Sequence, residues 1–315
     1  MEKKNCCLTG DVVLVGDILV DNICWVNSLP KSGSDIAILK STQQSGGSAA
    51  NTCCVLSDLG GKCSFCGIIG SDSIGKELTG RLRDKNIDIS CLQVSESRTG
   101  YTFTMVEPDG ERTMLSYRDA SSCGMKITEE LLDAVSNAKI LYISGYLLSV
   151  REQAEFVFAL ADTARSSNTV VMLDTSPIIG TIAKDILDRM LSLTDILMPN
   201  RRELFDISCV EDLDRSIEIL LEKVPALVIK MGSDGSCLVV RAGCTIPGIE
   251  SETGFKCIVP AETVKAVDTT GAGDSFNAGF IASYLENTSP EECLHRGNYI
   301  ASQVISGKMP RSIML

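Results

Sequence analysis

The sequence predicts a three-layer α/β sandwich with a mostly parallel central sheet and a small additional β-sheet. Short apolar runs alternate with stretches of helical periodicity, as in parallel sheets that helices cover on both faces. Two other segments alternate polar and apolar residues, which indicates antiparallel strands with one exposed face. The chain has 315 residues, of which 44% are hydrophobic, so it is long enough to bury a sizeable core.

Five strands are predicted from runs of apolar residues that end in glycine, aspartate or asparagine. Because ligands bind at the carboxyl ends of such strands, polar residues directly after these runs are candidate site residues. The runs are VVLVGD (12–17), ILYISG (140–145), VVMLD (170–174), DILMPN (195–200) and ALVIKMG (226–232).

The helices between these strands are predicted from their end signals. The stretch GSAANTCCVLSDLG (47–60) predicts a helix that ends at a glycine. Ser149 with Glu152, and Ser289 with Glu292, each have the spacing of a capping box at a helix start. The sequence therefore places a helix after the ILYISG strand and another near the end of the chain.

Residues 18–45 and 99–119 are predicted to form the additional sheet. The first segment contains the alternating stretch DIAILKSTQQ, and the second is a hairpin with PDG at its turn. We expect the two segments to pair and to act as a lid.

Composition disfavours several classes of function. The net charge of −12 is opposite to that of a nucleic-acid-binding surface. The chain contains no run of 18 apolar residues, and MEKKNCCLTGD reaches polar residues too early for a signal peptide, so we expect no membrane partner. The 14 cysteines include one CxxC pair, Cys63 and Cys66, and there is a single histidine. That set disfavours a zinc site and predicts reduced thiols in the cytoplasm.

The stretch VDTTGAGDSFNAGF (267–280) is the strongest candidate for a catalytic element. Gly271 and Gly273 flank Ala272 directly before a helix-compatible stretch, so backbone N–H groups are expected to converge there and hold a phosphoryl group. Asp274 follows as the only acid of the turn. On local features alone, this residue is as compatible with a plain helix N-cap as with a catalytic role.

Two further motifs carry candidate substrate contacts. Gly46 and Gly47 let another molecule approach the backbone, and Asn51 offers hydrogen-bond donors and an acceptor, although a tight turn into a helix explains the same pattern. Asp17 and Asp21 follow the first strand and suit the hydroxyl groups of a polyol, whereas loop solvation is the alternative.

The motif PNRRE follows the DILMPN strand. Asn200 and Glu203 are placed to order water around Mg²⁺. The alternative is a capped helix start, which the same two residues would also provide.

Together these motifs resemble the ribokinase-like (PfkB) family of carbohydrate and nucleoside kinases. DTTGAGDSF resembles the C-terminal signature of the family, and GGSAANTCCVLSDLG with CGIIGSDSIG resembles the N-terminal one. PNRRE resembles the NxxE motif, and VIKMGSDGS resembles the strand and turn before the nucleotide site. The order and spacing fit over residues 12–307, so we expect one domain over residues 1–315.

The resemblance implies transfer of the γ-phosphoryl group of ATP to a hydroxymethyl group of a sugar or nucleoside, with Mg²⁺ and, in many members, a monovalent cation such as K⁺. By position, Asp274 resembles the catalytic base and residues 271–273 the anion hole, while Arg118 resembles an arginine that reaches from the lid toward the phosphates. The other assignments are substrate contacts at Asp17, Asp21, Gly46, Gly47 and Asn51, nucleotide contacts at Asn200, Glu203, Lys230, Gly232, Gly235 and Asn298, Mg²⁺ ordering by Asn200 and Glu203, and monovalent-cation ligands at Asp268 and Thr270.

The identity of the acceptor stays open. Ribokinases have a lysine where Ser48 stands, and a glutamate where Gly145 and Tyr146 follow the ILYIS strand, which disfavours ribose. We expect a fructokinase- or ribokinase-like sugar kinase, with a nucleoside kinase as the alternative. A non-catalytic sugar or nucleotide sensor is a less favoured alternative, because a sensor has no use for Asp274 at an anion hole. A homodimer through the lid is also expected, since such dimers are common in the family.

Overall fold

The computed structural model describes residues 10–118, 120, 123–265 and 267–310. Its largest feature is an eight-stranded sheet with helices on both faces. The strands are β1 (Val12–Val15), β2 (Leu19–Trp25), β3 (Lys40–Gly46), β4 (Cys63–Cys66), β5 (Ile68–Gly70), β6 (Gln93–Ser95), β7 (Tyr101–Val106), β8 (Arg112–Tyr117), β9 (Ile140–Ser144), β10 (Val170–Asp174), β11 (Ile196–Met198), β12 (Ala226–Lys230), β13 (Ser236–Val240) and β14 (Phe255–Val259). The helices are α1 (Ser48–Asp58), α2 (Ser73–Asp84), α3 (Glu129–Asn137), α4 (Arg151–Ser166), α5 (Lys184–Leu193), α6 (Arg201–Ser208), α7 (Leu213–Leu221), α8 (Ala272–Leu285) and α9 (Pro290–Ile305).

The strand order in the main sheet is β14–β13–β12–β11–β10–β9–β1–β4. The pairs from β4 to β12 are parallel, whereas β13 is antiparallel to both β12 and β14. The five strands predicted from apolar runs are β1 and β9 to β12, and these predictions are confirmed. Their parallel arrangement brings the polar residues at their carboxyl ends to one edge of the sheet.

The core lies in two layers, one on each face of the main sheet. Val12 and Leu14 pack into the layer that contains α1, α2, α8 and α9. Val13 and Val15 point the other way, into the layer of α3 to α7, because successive side chains of a strand alternate between faces. All four are fully buried, as expected for a strand that helices cover on both sides. The predicted three-layer sandwich is confirmed.

A second, four-stranded sheet has the order β3–β2–β7–β8. Strand β2 pairs antiparallel with β3 and parallel with β7, and β7 and β8 form the predicted hairpin. Gly110 in its PDG turn has φ +88°, a conformation that favours glycine. The prediction of a small additional sheet is confirmed, and we call it the lid sheet. Asp119, the last residue of the second predicted segment, lies outside the described residues.

One of the two predicted capping boxes is wrong. Ser289 and Glu292 cap α9 reciprocally, as expected. Ser149 does not cap α4, because it ends a 3₁₀ turn and its hydroxyl donates to the carbonyl of Tyr146. Val150 is the N-cap of α4 instead, without a side-chain hydrogen bond. Among the described residues, no helix is long and apolar enough to cross a membrane.

Candidate active site

The turn before α8 brings Asp274 to the carboxyl edge of the main sheet. Gly271 is the N-cap of α8 with φ +74°, a left-handed conformation that favours glycine. Asp274 is the third residue of the helix, and it does not cap its own helix. Its Oδ1 accepts a hydrogen bond from Ser48 Oγ at 2.8 Å, and its Oδ2 accepts one from Asn51 Nδ2 at 2.9 Å. The N-cap alternative is therefore wrong, and two α1 side chains hold the carboxylate.

A second carboxylate, Asp174 at the end of β10, lies beside this one. It is 4% exposed, and its Oδ2 lies 3.0 Å from Ser48 Oγ. Its Oδ1 accepts a hydrogen bond from Lys230 Nζ at 2.7 Å, from the end of β12. Asp174 was not among the site residues predicted from the sequence, although its position as the last residue of the VVMLD run was the signal available. A continuous series of contacts therefore runs from Lys230 through Asp174 and Ser48 to Asp274.

The surroundings of Asp274 change its acidity. Burial raises its pKa to about 6, and the nearby Asp174 carboxylate acts in the same direction. Hydrogen bonds from Asn51 and Ser48, together with the charge of Lys230, partly offset this increase. Asp274 is thus mostly ionised at neutral pH, but it takes up a proton more readily than an exposed aspartate.

Lys230 keeps its proton despite its buried position. Burial lowers the pKa of its ammonium group, but the carboxylates of Asp174 and Glu203 outweigh this effect, so the net pKa is raised. Its side chain is only 13% exposed. A fixed positive charge therefore lies among the acids at this edge of the sheet.

The residues predicted to contact the acceptor gather on the lid side of Asp274. Asp17, after β1, forms an ion pair with Arg118, after β8. The Arg118 guanidinium lies over the ring of Tyr146, 4.6 Å from its centroid. Burial raises the pKa of Asp17, and the charge of Arg118 partly offsets it. Asp21 on β2 accepts a hydrogen bond from the Thr102 hydroxyl on β7.

Gly46 and Gly47 are required by the tight approach of these segments. Gly47 has φ +101°, and a Cβ there would lie 2.1 Å from the carbonyl oxygen of Asp17. A Cβ on Gly46 would lie 2.5 Å from the carboxylate of Asp21. The tight turn that the sequence left as an alternative is therefore present, and it also places both acids against the start of α1.

Four of the six predicted nucleotide contacts, Lys230, Gly232, Gly235 and Asn298, line a cavity of about 520 Å³ next to the Gly271–Gly273 turn, whereas Asn200 and Glu203 do not line it. Asn298 lines this cavity, but its Nδ2 already donates to the carbonyls of Val259 (3.2 Å) and Pro260 (3.1 Å). Its amide nitrogen thus fixes the segment after β14. The cavity also includes Ser233, Thr269, Ala272, Gly273 and Phe276.

Asn200 and Glu203 form a capping box at the start of α6, which was the alternative to a magnesium site. Glu203 Oε2 accepts from the Asn200 N–H at 2.9 Å and from Thr175 Oγ1 at 2.5 Å. Within the described ranges, no three His, Cys, Asp or Glu side chains are grouped as metal ligands. A Mg²⁺ ion often keeps several waters and binds one or two carboxylates together with substrate phosphates, and the buried Glu203 carboxylate fits that kind of site.

The carboxylate assigned to a monovalent cation, that of Asp268, is already engaged. Asp268 Oδ1 accepts hydrogen bonds from Arg112 Nη2 at 2.6 Å and from the N–H of Thr270 at 2.8 Å. Arg112 begins β8, so a lid-sheet guanidinium lies on the carboxylate that the resemblance assigned to the ion. A cation bound at Asp268 would therefore have to compete with Arg112, and the assignment of Asp268 and Thr270 to a cation site stays a prediction. The pair of Arg112 and Asp268 was not predicted from the sequence, because it joins positions 156 residues apart.

Comparison with known proteins agrees with this geometry. The profile described as pfkB family carbohydrate kinase matches residues 9–314. The chain is 27% identical to the ribokinase of Haemophilus influenzae, over 96% of this chain and 94% of that protein. It is 28% identical to the nucleoside kinase of Methanothermobacter thermautotrophicus, over 94% of this chain and 89% of that protein.

A solved structure extends the likeness to three dimensions. The ribokinase of Arabidopsis thaliana, complexed with ribose and ATP, is 25% identical and has a TM-score of 0.79, with coverage of 98% of this chain and 96% of that one. Kinases of this family use ATP as phosphoryl donor. The chain thus belongs to the pfkB family of carbohydrate kinases, and it is a phosphotransferase that acts on a hydroxyl group.

Proposed function

We propose that this kinase transfers the γ-phosphoryl group of ATP to a hydroxymethyl group of a small carbohydrate, with Asp274 as the catalytic base. The observation that carries the proposal is the position of the Asp274 carboxylate. It lies in the first turn of α8 directly after Gly273, which lines the cavity, and it is held by Ser48 and Asn51, which follow the glycine turn that packs against Asp17 and Asp21. A base in this position can face the acceptor hydroxyl while the helix start faces the phosphates.

Asp274 would accept the proton of the acceptor hydroxyl as the new O–P bond forms. Its raised pKa of about 6 suits this task, because a base works best when its pKa is near the working pH. Such help typically contributes about 10²–10⁴-fold to the rate. The proton stays on Asp274 after ADP has left and is then released to water.

The N–H groups at the start of α8 would stabilise the charge on the transferred group. Ala272 N–H already donates to the Thr269 carbonyl at 3.3 Å, so the stronger contribution is expected from Gly273 and Asp274. Lys230 adds a positive charge, since its Nζ would lie 3.7 Å from a Cβ on Gly273. Bound Mg²⁺ would neutralise phosphate charge, with Asn200 and Glu203 holding it through water.

The acceptor side favours a polyol. Asp17 and Asp21 offer carboxylates, and Asn51 Oδ1 is buried without a hydrogen-bond partner among the described residues. A sugar hydroxyl would satisfy Asn51 Oδ1, and further hydroxyls can add to the hydrogen bonds of the two carboxylates, because a hydroxyl can both donate and accept. An unpaired buried acceptor costs about 1–3 kcal/mol, so binding a donor there is favourable.

A nucleoside remains the second candidate, because a nucleoside kinase is as similar to this chain as a ribokinase is. The lid sheet also carries an aromatic pair, Tyr101 and Tyr117, with ring centroids 5.2 Å apart. Rings of this kind can stack on a base. The non-catalytic sensor has no support among the enzymes compared.

The test is ADP release from Mg-ATP with a panel of ketoses, pentoses, aldonates and nucleosides. We expect turnover with at least one sugar or sugar acid. Turnover confined to nucleosides would replace the sugar with the second candidate. Absence of turnover with every acceptor, despite measurable ATP binding, would contradict the proposal.

Two further proposals concern the surroundings of the enzyme. The described cysteines are all free, which supports the reducing cytoplasm as its location.

The lid sheet exposes Phe103, Leu115 and Tyr117 on one face, and we assign this face to a homodimer interface. These three side chains share a face because Phe103 pairs with Leu115 and Tyr101 pairs with Tyr117 across β7 and β8.

A further inference from the structure

We propose that Asp174 and Lys230, joined to Asp274 through Ser48, are positioning residues that set the pH at which the catalytic carboxylate works. This inference rests on the proposed role of Asp274 as base. The contacts run from Lys230 Nζ to Asp174 Oδ1 (2.7 Å), from Asp174 Oδ2 to Ser48 Oγ (3.0 Å), and from Ser48 Oγ to Asp274 Oδ1 (2.8 Å).

The serine hydroxyl explains why the series matters for proton transfer. A hydroxyl carries one proton and two lone pairs, yet Ser48 Oγ lies within hydrogen-bond distance of two carboxylates. While Asp274 is ionised, the hydroxyl can donate to it and leave Asp174 Oδ2 without a donor. Once Asp274 has taken the acceptor proton, it can donate to Ser48 Oγ, and Ser48 can donate to Asp174. The protonated base is therefore the state in which every group of the series is satisfied.

Lys230 decides which acid takes the proton. Two carboxylates close together do not both ionise easily, so one of them has a raised pKa. The ammonium group of Lys230 contacts Asp174 directly, whereas the hydrogen bonds to Asp274 come from the neutral side chains of Ser48 and Asn51. The proton is therefore taken up by Asp274, the acid at the acceptor side.

The groups around Asp274 leave these two charges as the main electrostatic influences on it. Burial raises the pKa of Tyr142 well above its ordinary value, and that of Tyr146 to about 12, so both phenols are neutral in the working range. The titratable and polar groups that face Asp274 are Asp174 from β10, Lys230 from β12, Tyr142 from β9, Tyr146 from the turn after β9, and Ser48 and Asn51 from α1.

The test compares the acid limb of the kcat/KM profile in two variants that remove opposite charges. Asp174→Asn removes the negative neighbour and frees Lys230, so the limb should move to lower pH by about one unit. Lys230→Gln leaves Asp174 uncompensated, so the limb should move to higher pH by about one unit, and Lys230→Arg should restore it. Tm is measured alongside to confirm folding, because Lys230 is itself a predicted nucleotide contact and its variants can change ATP binding without unfolding.

A purely structural role would not move the acid limb of the kcat/KM profile in opposite directions in Asp174→Asn and Lys230→Gln. A structural role would lower kcat in both variants with the limb unmoved, and a role of Lys230 confined to the phosphates would raise the KM for ATP without moving the limb. Either result overturns the inference. If Asp174→Asn does not fold, Lys230→Gln and its arginine rescue decide the matter alone. If Asp274→Asn keeps near-normal turnover, the base assignment itself has failed, which is a separate outcome.

Discussion

Replacement of Gly47 by alanine should damage the acceptor site more than the same change at another glycine with a positive φ. Gly47 has φ +101°, and a Cβ there would lie 2.1 Å from the Asp17 carbonyl oxygen. Gly60, just past the other end of α1, has φ +87° and nothing within 4 Å of the added Cβ. The two variants share the cost of a left-handed residue, about 1–2 kcal/mol, and only Gly47→Ala adds a clash.

The clash sets the expected size of the difference. The backbone of this segment would have to move by more than 1 Å before the added Cβ of residue 47 reached an ordinary contact distance of 3.4 Å from the Asp17 oxygen. Overpacking of this kind costs a further 1–3 kcal/mol, roughly. At about 2–4 °C per kcal/mol, Gly60→Ala should lower Tm by a few degrees and Gly47→Ala by about twice as much.

The functional consequence distinguishes this site from simple destabilisation. Because the displaced segment carries Asp17, the KM for the acceptor should rise at least tenfold in Gly47→Ala, while ATP affinity stays close to that of the unaltered enzyme. Differential scanning calorimetry and initial-rate kinetics on both variants measure these effects. Equal Tm and equal acceptor KM in Gly47→Ala and Gly60→Ala would refute the packing argument.

Three other predictions follow from the site and the lid sheet. The kcat/KM should decrease below pH 6 and reach about a tenth of its plateau at pH 5, because Asp274, with a pKa of about 6, is protonated at that pH. A profile that stays flat to pH 4.5 would rule out this dependence on Asp274. Rates should be equal in potassium and choline chloride, since Arg112 already neutralises Asp268; strong stimulation by potassium would show that the ion displaces Arg112. Leu115→Glu should convert a dimer to monomers in light scattering, whereas an unchanged mass would remove this face from the interface.

The sequence predicted those parts of the molecule whose signals are local. The buried strands were recognised because three or four consecutive apolar residues at β1 and at β9 to β12 are all covered by helices. The turn at Gly271 was recognised because glycine is required for its left-handed conformation. The capping boxes of α6 and α9 each depend on residues three apart.

The contacts that the sequence did not predict join distant positions. Ser48 meets Asp174 across 126 residues and Asp274 across 226, so only the strand order and the crossing of α1 and α8 bring the three together. Arg112 meets Asp268 only because the lid sheet folds over the loop before α8. The error at Ser149 is of the opposite kind. The sequence has the spacing of a capping box there, but Ser149 ends a 3₁₀ turn after β9 and does not cap α4.

The central claim is that Asp274 is the base for phosphoryl transfer, and Asp274→Asn tests it most directly. The variant keeps the size of the side chain but cannot take the acceptor proton. We expect ADP release with the best acceptor of the panel to fall by about 10²–10⁴-fold, with ATP binding retained. Asp133→Asn, on the exposed face of α3, is the matched control and should keep full activity. Turnover of Asp274→Asn within a few-fold of that control would contradict the claim.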